Sequence, residues 1–458
     1  MITASAFAGK HYAVYGLARS GIATVEALLA SGAKVTAWDA KEEARSKLLP
    51  GTGRWQGGAL TEGVPSPART PLHRPSDGPP PRPGEELVIA DLDTVELTQF
   101  DSLVVTPGLP LNRHPIARRA REAGVEIIGD IELFARARPE LPPHKVVGIT
   151  GTNGKSTTTA LVHHILEVAG VPTTMGGNIG LAILAQDPLP EGGVYVLELS
   201  SYQIDLTQSL DCDVAVLLNI TPDHLDRYAN FEAYAASKDR LLHMQTEDHK
   251  SVINWDAFMR GLINPGAAGF NGIMPVGPSD QANWPTLHGP HNAENAGAAI
   301  ETCIWLGVSR AQIDEGLRTY PGLPHRMERV RERAGVLFVN DSKATNPTAT
   351  APALAAFDKI RWICGGQAKT DNLDECAPQF GHVRKAYTIG EAGELFASLL
   401  SPHMAVAECE TLERAVTEAA AEAESGDTVL LSPACASFDQ FRDFEDRGDQ
   451  FRELVGAL

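Results

Sequence analysis

The sequence predicts an α/β protein of three successive domains, each built on a mostly parallel β-sheet. Its 458 residues exceed what one packed core usually holds, at roughly 150 residues per domain. Strand-like apolar runs alternate with helix-like stretches along the whole chain, the order that buries a parallel sheet between helices. Several of those runs are apolar at every position, as strands covered on both faces are. With 43% hydrophobic and 21% charged residues, the chain can bury sizeable cores. It lies outside the disordered, collagenous and disulfide-scaffold classes.

Charge and leader signals narrow the partners. Thirty-nine basic residues against 58 acidic ones give a net charge of −19, so long-range electrostatics oppose nucleic acid and anionic membranes. No nucleic-acid partner and no membrane insertion are expected. An anionic ligand would be held by local devices, helix N-termini and a few placed Lys and Arg. No window reaches 18 uncharged apolar residues and residues 1–10 lack a signal-peptide pattern, which reads as a cytoplasmic protein. The six cysteines are scattered without CxxC and are expected to be reduced and mostly buried. A monomer is the default expectation for the oligomeric state.

The first block, 1–129, opens with Tyr12-Ala13-Val14-Tyr15, a helical stretch at 22–30 closed by Gly32, and Lys34-Val35-Thr36-Ala37-Trp38-Asp39. This βαβ pattern predicts a Rossmann-like domain. Leu103-Val104-Val105 then ends in Thr106-Pro107-Gly108, and a helix at 116–123 is capped by Gly124. The turn Gly16-Leu17-Ala18-Arg19-Ser20-Gly21 resembles a dinucleotide fingerprint with Ala18 in place of the middle glycine. That hinders a pyrophosphate at the backbone and weakens an NAD reading. A nucleotide diphosphate at the helix N-terminus fits better, with Asp39 placed for a hydroxyl or base. Residues 64–83 hold eight prolines in twenty positions, a surface insertion rather than sheet or helix.

The second block, 130–322, carries the strongest signal. Thr150-Gly151-Thr152-Asn153-Gly154-Lys155-Ser156 stands between an apolar run at 146–149 and a helical run at 157–169. Such a turn points backbone N–H groups and the positive helix end at phosphates, while Lys155 supplies a cation and Ser156 a Mg²⁺ ligand. Ile149 stands where the GxxxxGK[ST] pattern has its first glycine, yet strand and helix flank the loop on the correct sides. Gly151, Thr152, Asn153, Gly154, Lys155, Ser156 and Thr157 are therefore expected to bind ATP. Runs at 194–199 and 214–218 end in Glu198-Leu199-Ser200-Ser201 and Asn219-Ile220-Thr221-Pro222-Asp223-His224-Leu225-Asp226. Glu198 and His224 would join Ser156 at a metal and phosphate site with room for more than one Mg²⁺. Asn292 and Asn295 share a face at the start of an Ala-rich helix and can read a base edge. The alternative for Asn292 is a plain N-cap. Arg326, in Pro324-His325-Arg326, can swing toward a phosphoryl group. The third block, 323–458, repeats the alternation with apolar runs at 336–339, 360–364, 386–389 and 428–431.

Taken together, the loop 150–156, Glu198-Leu199-Ser200-Ser201, Asp223-His224-Leu225-Asp226-Arg227-Tyr228, residues 289–295 and Leu323-Pro324-His325-Arg326 resemble the Mur ligase family. The likeness spans almost the whole chain and keeps the motifs in order. Asn340-Asp341-Ser342-Lys343-Ala344-Thr345-Asn346 and Ser432-Pro433-Ala434-Cys435-Ala436-Ser437-Phe438-Asp439-Gln440-Phe441 resemble the branch that adds D-glutamate to UDP-N-acetylmuramoyl-L-alanine. Departures are the proline-rich insertion, Arg19 and Ser20 in the first loop, and Gly365-Gly366-Gln367-Ala368-Lys369.

The resemblance implies a UDP-sugar-binding domain at 1–129, a central P-loop-type ATPase domain at 130–322 and a Rossmann-like amino-acid-binding domain at 323–458. It implies an ATP-dependent ligase of peptidoglycan precursor synthesis. ATP phosphorylates a carboxylate, and the amine of D-glutamate attacks the acyl phosphate, releasing ADP and phosphate. By the same resemblance Arg19, Ser20, Asp39, Thr106 and Asn178 serve the UDP-sugar, with Asn178 beside the acyl phosphate. Asn292, Asn295, Arg326 and Asp341 face ATP. Lys343, Thr345, Lys369, Ser437 and Phe444 take D-glutamate. Lys155, Glu198, His224 and Lys238 carry catalysis, Lys238 matching a lysine that relatives carbamoylate into a Mg²⁺ ligand. Catalysis would require domain closure with hinges near Asp130 and Leu323. Remaining alternatives are a ligase of the same architecture with another amino acid or folate, a nucleotide-binding regulatory module, and a dehydrogenase.

Overall fold

The computed structural model describes residues 1–48, 87–223, 226–266 and 269–458. The proline-rich segment 64–83 and His224 lie outside the described residues. Among the described residues the strands form three sheets. The first contains β1 (His11–Tyr15), β2 (Lys34–Trp38), β3 (Leu87–Ile89), β4 (Ser102–Val105) and β5 (Glu126–Ile128), all parallel in the order β3-β2-β1-β4-β5. The second contains β6 (His144–Thr150), β7 (Thr173–Gly177), β8 (Gly193–Glu198), β9 (Val214–Leu217), β10 (Lys250–Ile253) and β11 (Gly269–Gly272), in the order β11-β10-β9-β6-β8-β7. The third contains β12 (Glu328–Arg333), β13 (Val336–Asn340), β14 (Ile360–Gly365), β15 (Val383–Ile389), β16 (Ala405–Glu410) and β17 (Thr428–Leu431), in the order β12-β13-β17-β14-β15-β16. Only β12 in this last sheet runs antiparallel to its neighbour.

Register decides where chemistry gathers. Tyr15 pairs with Trp38 and Val105, so the turns at Gly16, Asp39 and Thr106 leave one edge of the first sheet, where the strand order reverses. Ile149 and Gly177 both pair with Glu198. Leu431 pairs with Asn340 and Ile363, and Gly365 with Ile389. Each sheet therefore releases its function-bearing loops at its carboxyl edge. The apolar runs are buried throughout β4, β8, β9 and β17. In the third sheet Trp362 and Phe396 fill one face and Tyr387 and Phe451 the other.

The chain divides into two compact units, one of Met1–Thr152, Pro172–Ser251 and Asp256–Gly269, the other of Asn153–Val171, Val252–Trp255 and Phe270–Leu458. In the second unit the helix Lys155–Val168 packs on the helix Arg310–Thr319 so closely that a Cβ on Gly316 would lie 2.7 Å from Ile165 Cγ1. All six cysteines are free and buried. Burial pushes the Cys212, Cys376, Cys409 and Cys435 thiols up to about 12 and raises Cys303 and Cys364 as well. Among the described residues no helix is long and apolar enough to cross a membrane.

Candidate active site

In the first unit the phosphate loop begins at the end of β6. Gly151 has φ 151°, and a Cβ there would sit 3.0 Å from Leu218 Cβ and 3.2 Å from the Asn219 nitrogen. Only glycine follows this path without strain. The Thr152 N–H donates to Asn219 O at 2.9 Å, and its Oγ1 accepts from the Thr221 N–H at 3.0 Å. Asn230 caps the helix Phe231–His243, which carries Lys238 inward until it is only 2% exposed. Lys238 Nζ donates to Gly151 O at 2.8 Å and lies 4.8 Å from the Tyr234 ring centre. The predicted modifiable lysine thus stands against the first glycine of the loop.

Glu198 ends β8 and is 2% exposed. Asn178 donates to it through Nδ2, 2.9 Å from Oε1, and the Asn178 N–H meets the Glu198 carbonyl at 2.9 Å. A Cβ on Gly177 would fall 2.2 Å from that carbonyl, so the approach of Asn178 depends on glycine. Glu198 Oε2 is buried with no hydrogen-bond partner among the described residues. Such an oxygen is costly unless something binds it, and a hard cation suits it. Among the described residues no group of three or more His, Cys, Asp or Glu is gathered as a metal cluster, and His224 is not among them.

At the carboxyl edge of the first sheet, Arg19 and Ser20 open the helix Arg19–Ala30, whose N-cap Ala18 offers no side-chain acceptor. Its first N–H groups are therefore not capped by the Ala18 side chain. A Cβ on Gly16 would lie 2.3 Å from Thr106 Oγ1, which brings Thr106 against this turn. Asp39 accepts from the Leu17 N–H at 2.7 Å and the Lys41 N–H at 2.8 Å. Its carboxylate braces the loop, a role that spacing alone did not reveal.

In the second unit, Gly154 (φ 83°) caps the helix that starts at Lys155. Arg326 Nη2 donates to Ser156 Oγ at 3.0 Å. Thr158, Asn295, Asn292 and the His288 carbonyl form one hydrogen-bonded chain. The two asparagines thus bind each other, and it is Gly289, Pro290 and Ala293 at the start of their helix that line a cavity of about 890 Å³ with His288, Arg329 and Phe357. Asp341 follows β13, accepts from the Met327 N–H at 3.2 Å and from Ser432 Oγ at 2.8 Å, and is pushed up to about 7 by burial, against those hydrogen bonds and Arg326. The folded state therefore holds a proton on Asp341 that the unfolded chain loses near pH 4. Stability should fall as pH rises from the ordinary carboxylate range to about 7. Asp341→Asn is expected to flatten that slope, read as urea midpoints against pH.

The five residues predicted for the amino acid converge on one edge of the third sheet. Lys369 Nζ donates to Thr345 Oγ1 at 3.1 Å, and Gln367 pairs with Ala436, which joins the Lys369 loop to the Ser437 loop. Ser342 Oγ donates to the Phe444 carbonyl at 2.8 Å, and Lys343 Nζ lies 5.1 Å from the Phe444 ring centre. Behind them sits Arg447, 0% exposed. It donates to Ser342 Oγ at 2.9 Å, Ser342 O at 2.8 Å, Cys435 O at 3.1 Å and Ala436 O at 3.3 Å. Burial pushes its guanidinium down to about 10. Nothing in the local sequence marks Arg447, one cation among the charged residues of the helix Phe444–Ala457.

Family profiles described as Mur ligase middle domain and Mur ligase glutamate ligase domain match residues 149–286 and 325–435. A UDP-N-acetylmuramoylalanine–D-glutamate ligase of Novosphingobium aromaticivorans is 56% identical, covering 100% of this chain and 97% of its own. The chain belongs to the Mur ligase family. Relatives of the same name in Sphingopyxis alaskensis and Zymomonas mobilis are 54% and 53% identical, each covering 100% of both chains. Among solved Mur ligase structures, the UDP-N-acetylmuramate–alanine ligase of Thermotoga maritima is similar with a TM-score of 0.56 at 17% identity, over 98% of this chain and 99% of that one. The MurF ligase of the same organism, solved with ADP, gives 0.56 at 18% identity over 80% and 97%. The Mur ligase fold is thus shared far beyond recognisable sequence identity.

Proposed function

We propose that the chain joins D-glutamate to UDP-N-acetylmuramoyl-L-alanine, using ATP and passing through an acyl phosphate. The observation that carries this reading is full-length identity above half with relatives bearing that name. The edge holding Lys343, Thr345, Lys369 and Ser437 supports it, since two cations and two hydroxyls suit a dicarboxylate.

The loop N–H groups and Lys155 hold the phosphates of ATP, and Arg326 orients Ser156. Asn292 and Asn295, joined by a hydrogen bond at the first turns of their helix, serve the adenosine side. Arg19, Ser20 and Thr106 hold the UDP-sugar, with Asp39 bracing their loop. Asn178 fixes Glu198 and faces the acyl phosphate. Ser156, Glu198, His224 and a carbamoylated Lys238 would hold magnesium, which would supply charge neutralisation for phosphoryl transfer. The Lys and hydroxyl groups of the third sheet anchor both carboxylates of D-glutamate and leave its amine free to attack. Positioning of this kind can contribute about 7 to 11 kcal/mol to lowering the barrier.

The test is ADP release with UDP-N-acetylmuramoyl-L-alanine, Mg²⁺ and a panel of D- and L-amino acids. Release with D-glutamate alone is expected. Release with another amino acid, or without the UDP-sugar, overturns the reading. Lys238→Ala should lower kcat about 10²- to 10³-fold and recover in part with a small added carboxylate. Full activity without that carboxylate would exclude the carbamate role.

A further inference from the structure

We propose that Arg227 is a positioning residue that couples the UDP-sugar loop to the segments carrying Glu198 and Lys238. The inference rests on the reading of Thr106 and its neighbours as part of the UDP-sugar site. The Arg227 guanidinium donates to three successive backbone carbonyls, Pro107 O at 3.4 Å, Gly108 O at 3.3 Å and Leu109 O at 2.8 Å. Its carbon lies 4.2 Å from the Tyr202 ring centre. One planar cation thus gathers the loop that follows β4 and stacks on an aromatic face. With its N–H groups turned to carbonyls, it shapes the loop rather than taking a phosphate itself.

The same ring leads on to the segments carrying Glu198 and Lys238. Tyr202 stands four residues after Glu198, on the helix Ser201–Asp205 that a Ser200–Gln203 capping box starts. Its ring stacks on Tyr228 at 6.1 Å and 19°. Tyr228 OH donates to Asp205 Oδ2 at 2.8 Å and lies 3.2 Å from Ser237 Oγ. Ser237 Oγ donates to Asp205 Oδ1 at 2.8 Å, and Ser237 immediately precedes Lys238. Beside Arg227, the Asp226 carbonyl accepts from Asn112 Nδ2 at 3.0 Å, a second tie to the same loop. Every link lies in the first compact unit. Rearranging the carbonyls of 107–109 on ligand binding therefore shifts Arg227, and through Tyr202 the helix that follows Glu198.

The test is steady-state ADP release by the full chain with Arg227→Lys and Arg227→Gln. KM for UDP-N-acetylmuramoyl-L-alanine should rise about tenfold in both, with KM for ATP and D-glutamate changing less than about twofold. Lysine keeps the charge but loses the fork and the stack, so it should not rescue. Tyr202→Leu, which leaves the guanidinium and removes its support, should shift the same KM in the same direction by a smaller factor. An unchanged KM for the UDP-sugar, a uniform loss for all three substrates, or full rescue by lysine overturns the proposal. If wild-type ADP release does not depend on the UDP-sugar, the functional reading fails first. If it does and the variants match wild type, the proposal alone fails.

Discussion

Lys155→Met is expected to lower kcat by about 10²- to 10³-fold, the loss typical of removing one charge-stabilising donor from a transition state. Lys155 is the first residue of the helix Lys155–Val168, directly after Gly154 at φ 83°. Its ammonium therefore stands at the positive end of a helix that already favours anions. Phosphoryl transfer asks the site mainly for position and charge, and the substitution removes charge while keeping side-chain length. Methionine is as good a helix former as lysine, so the thermal midpoint should move little. The checking measurement is kcat beside a melting curve. A variant with more than half the wild-type kcat would remove Lys155 from the mechanism, and a collapsed melting curve would assign it to folding. Lys155→Arg should remain impaired, because a planar fork does not replace a point charge on a short reach.

Arg447→Met should act on stability and on the amino-acid site together. The side chain is fully buried and its hydrogen bonds go to neutral oxygens on two loops, Ser342 on one and Cys435 with Ala436 on the other. Methionine fills much of the space but leaves those oxygens without donors, at about 1 to 3 kcal/mol for each group left unsatisfied. A loss of about 3 kcal/mol or more in urea unfolding is therefore expected. The same loops lead into Lys343 and Ser437, so KM for D-glutamate should rise while KM for ATP rises less. Arg447→Lys should recover part of the stability and little of the KM, since an ammonium cannot span both loops. An undisturbed unfolding curve would show that the loops hold their shape without the guanidinium.

What was legible in the sequence is what periodicity and glycine reveal. Val194 to Leu197 and Val214 to Leu217 are apolar at every position, and both became buried parallel strands. The loop at 150–156 was legible because strand, glycines, lysine and helix stand in one line of text. β12 was not, because Glu-Arg-Val-Arg-Glu-Arg has almost no apolar content and is an edge strand recruited by β13 through backbone hydrogen bonds. β7, with Thr-Thr-Met-Gly-Gly, hides for a similar reason, its glycines serving the close approach to Glu198. Spacing singles out Asp39 for a ligand hydroxyl or base, but its contact with the Leu17 N–H depends on how two strand ends meet in space. Arg447 and Arg227 show the same limit, since long-range pairing of a cation with carbonyls leaves no pattern in the local text.

The six enclosed sulfurs also set how the molecule responds to electrophiles. Maleimides and iodoacetamide need an accessible thiolate, and the folded chain presents none among its native cysteines. A cysteine introduced at a surface position would therefore be the sole label acceptor on a background that needs no prior removal of natural thiols. Slow labelling of the untouched chain would in turn clock its spontaneous opening.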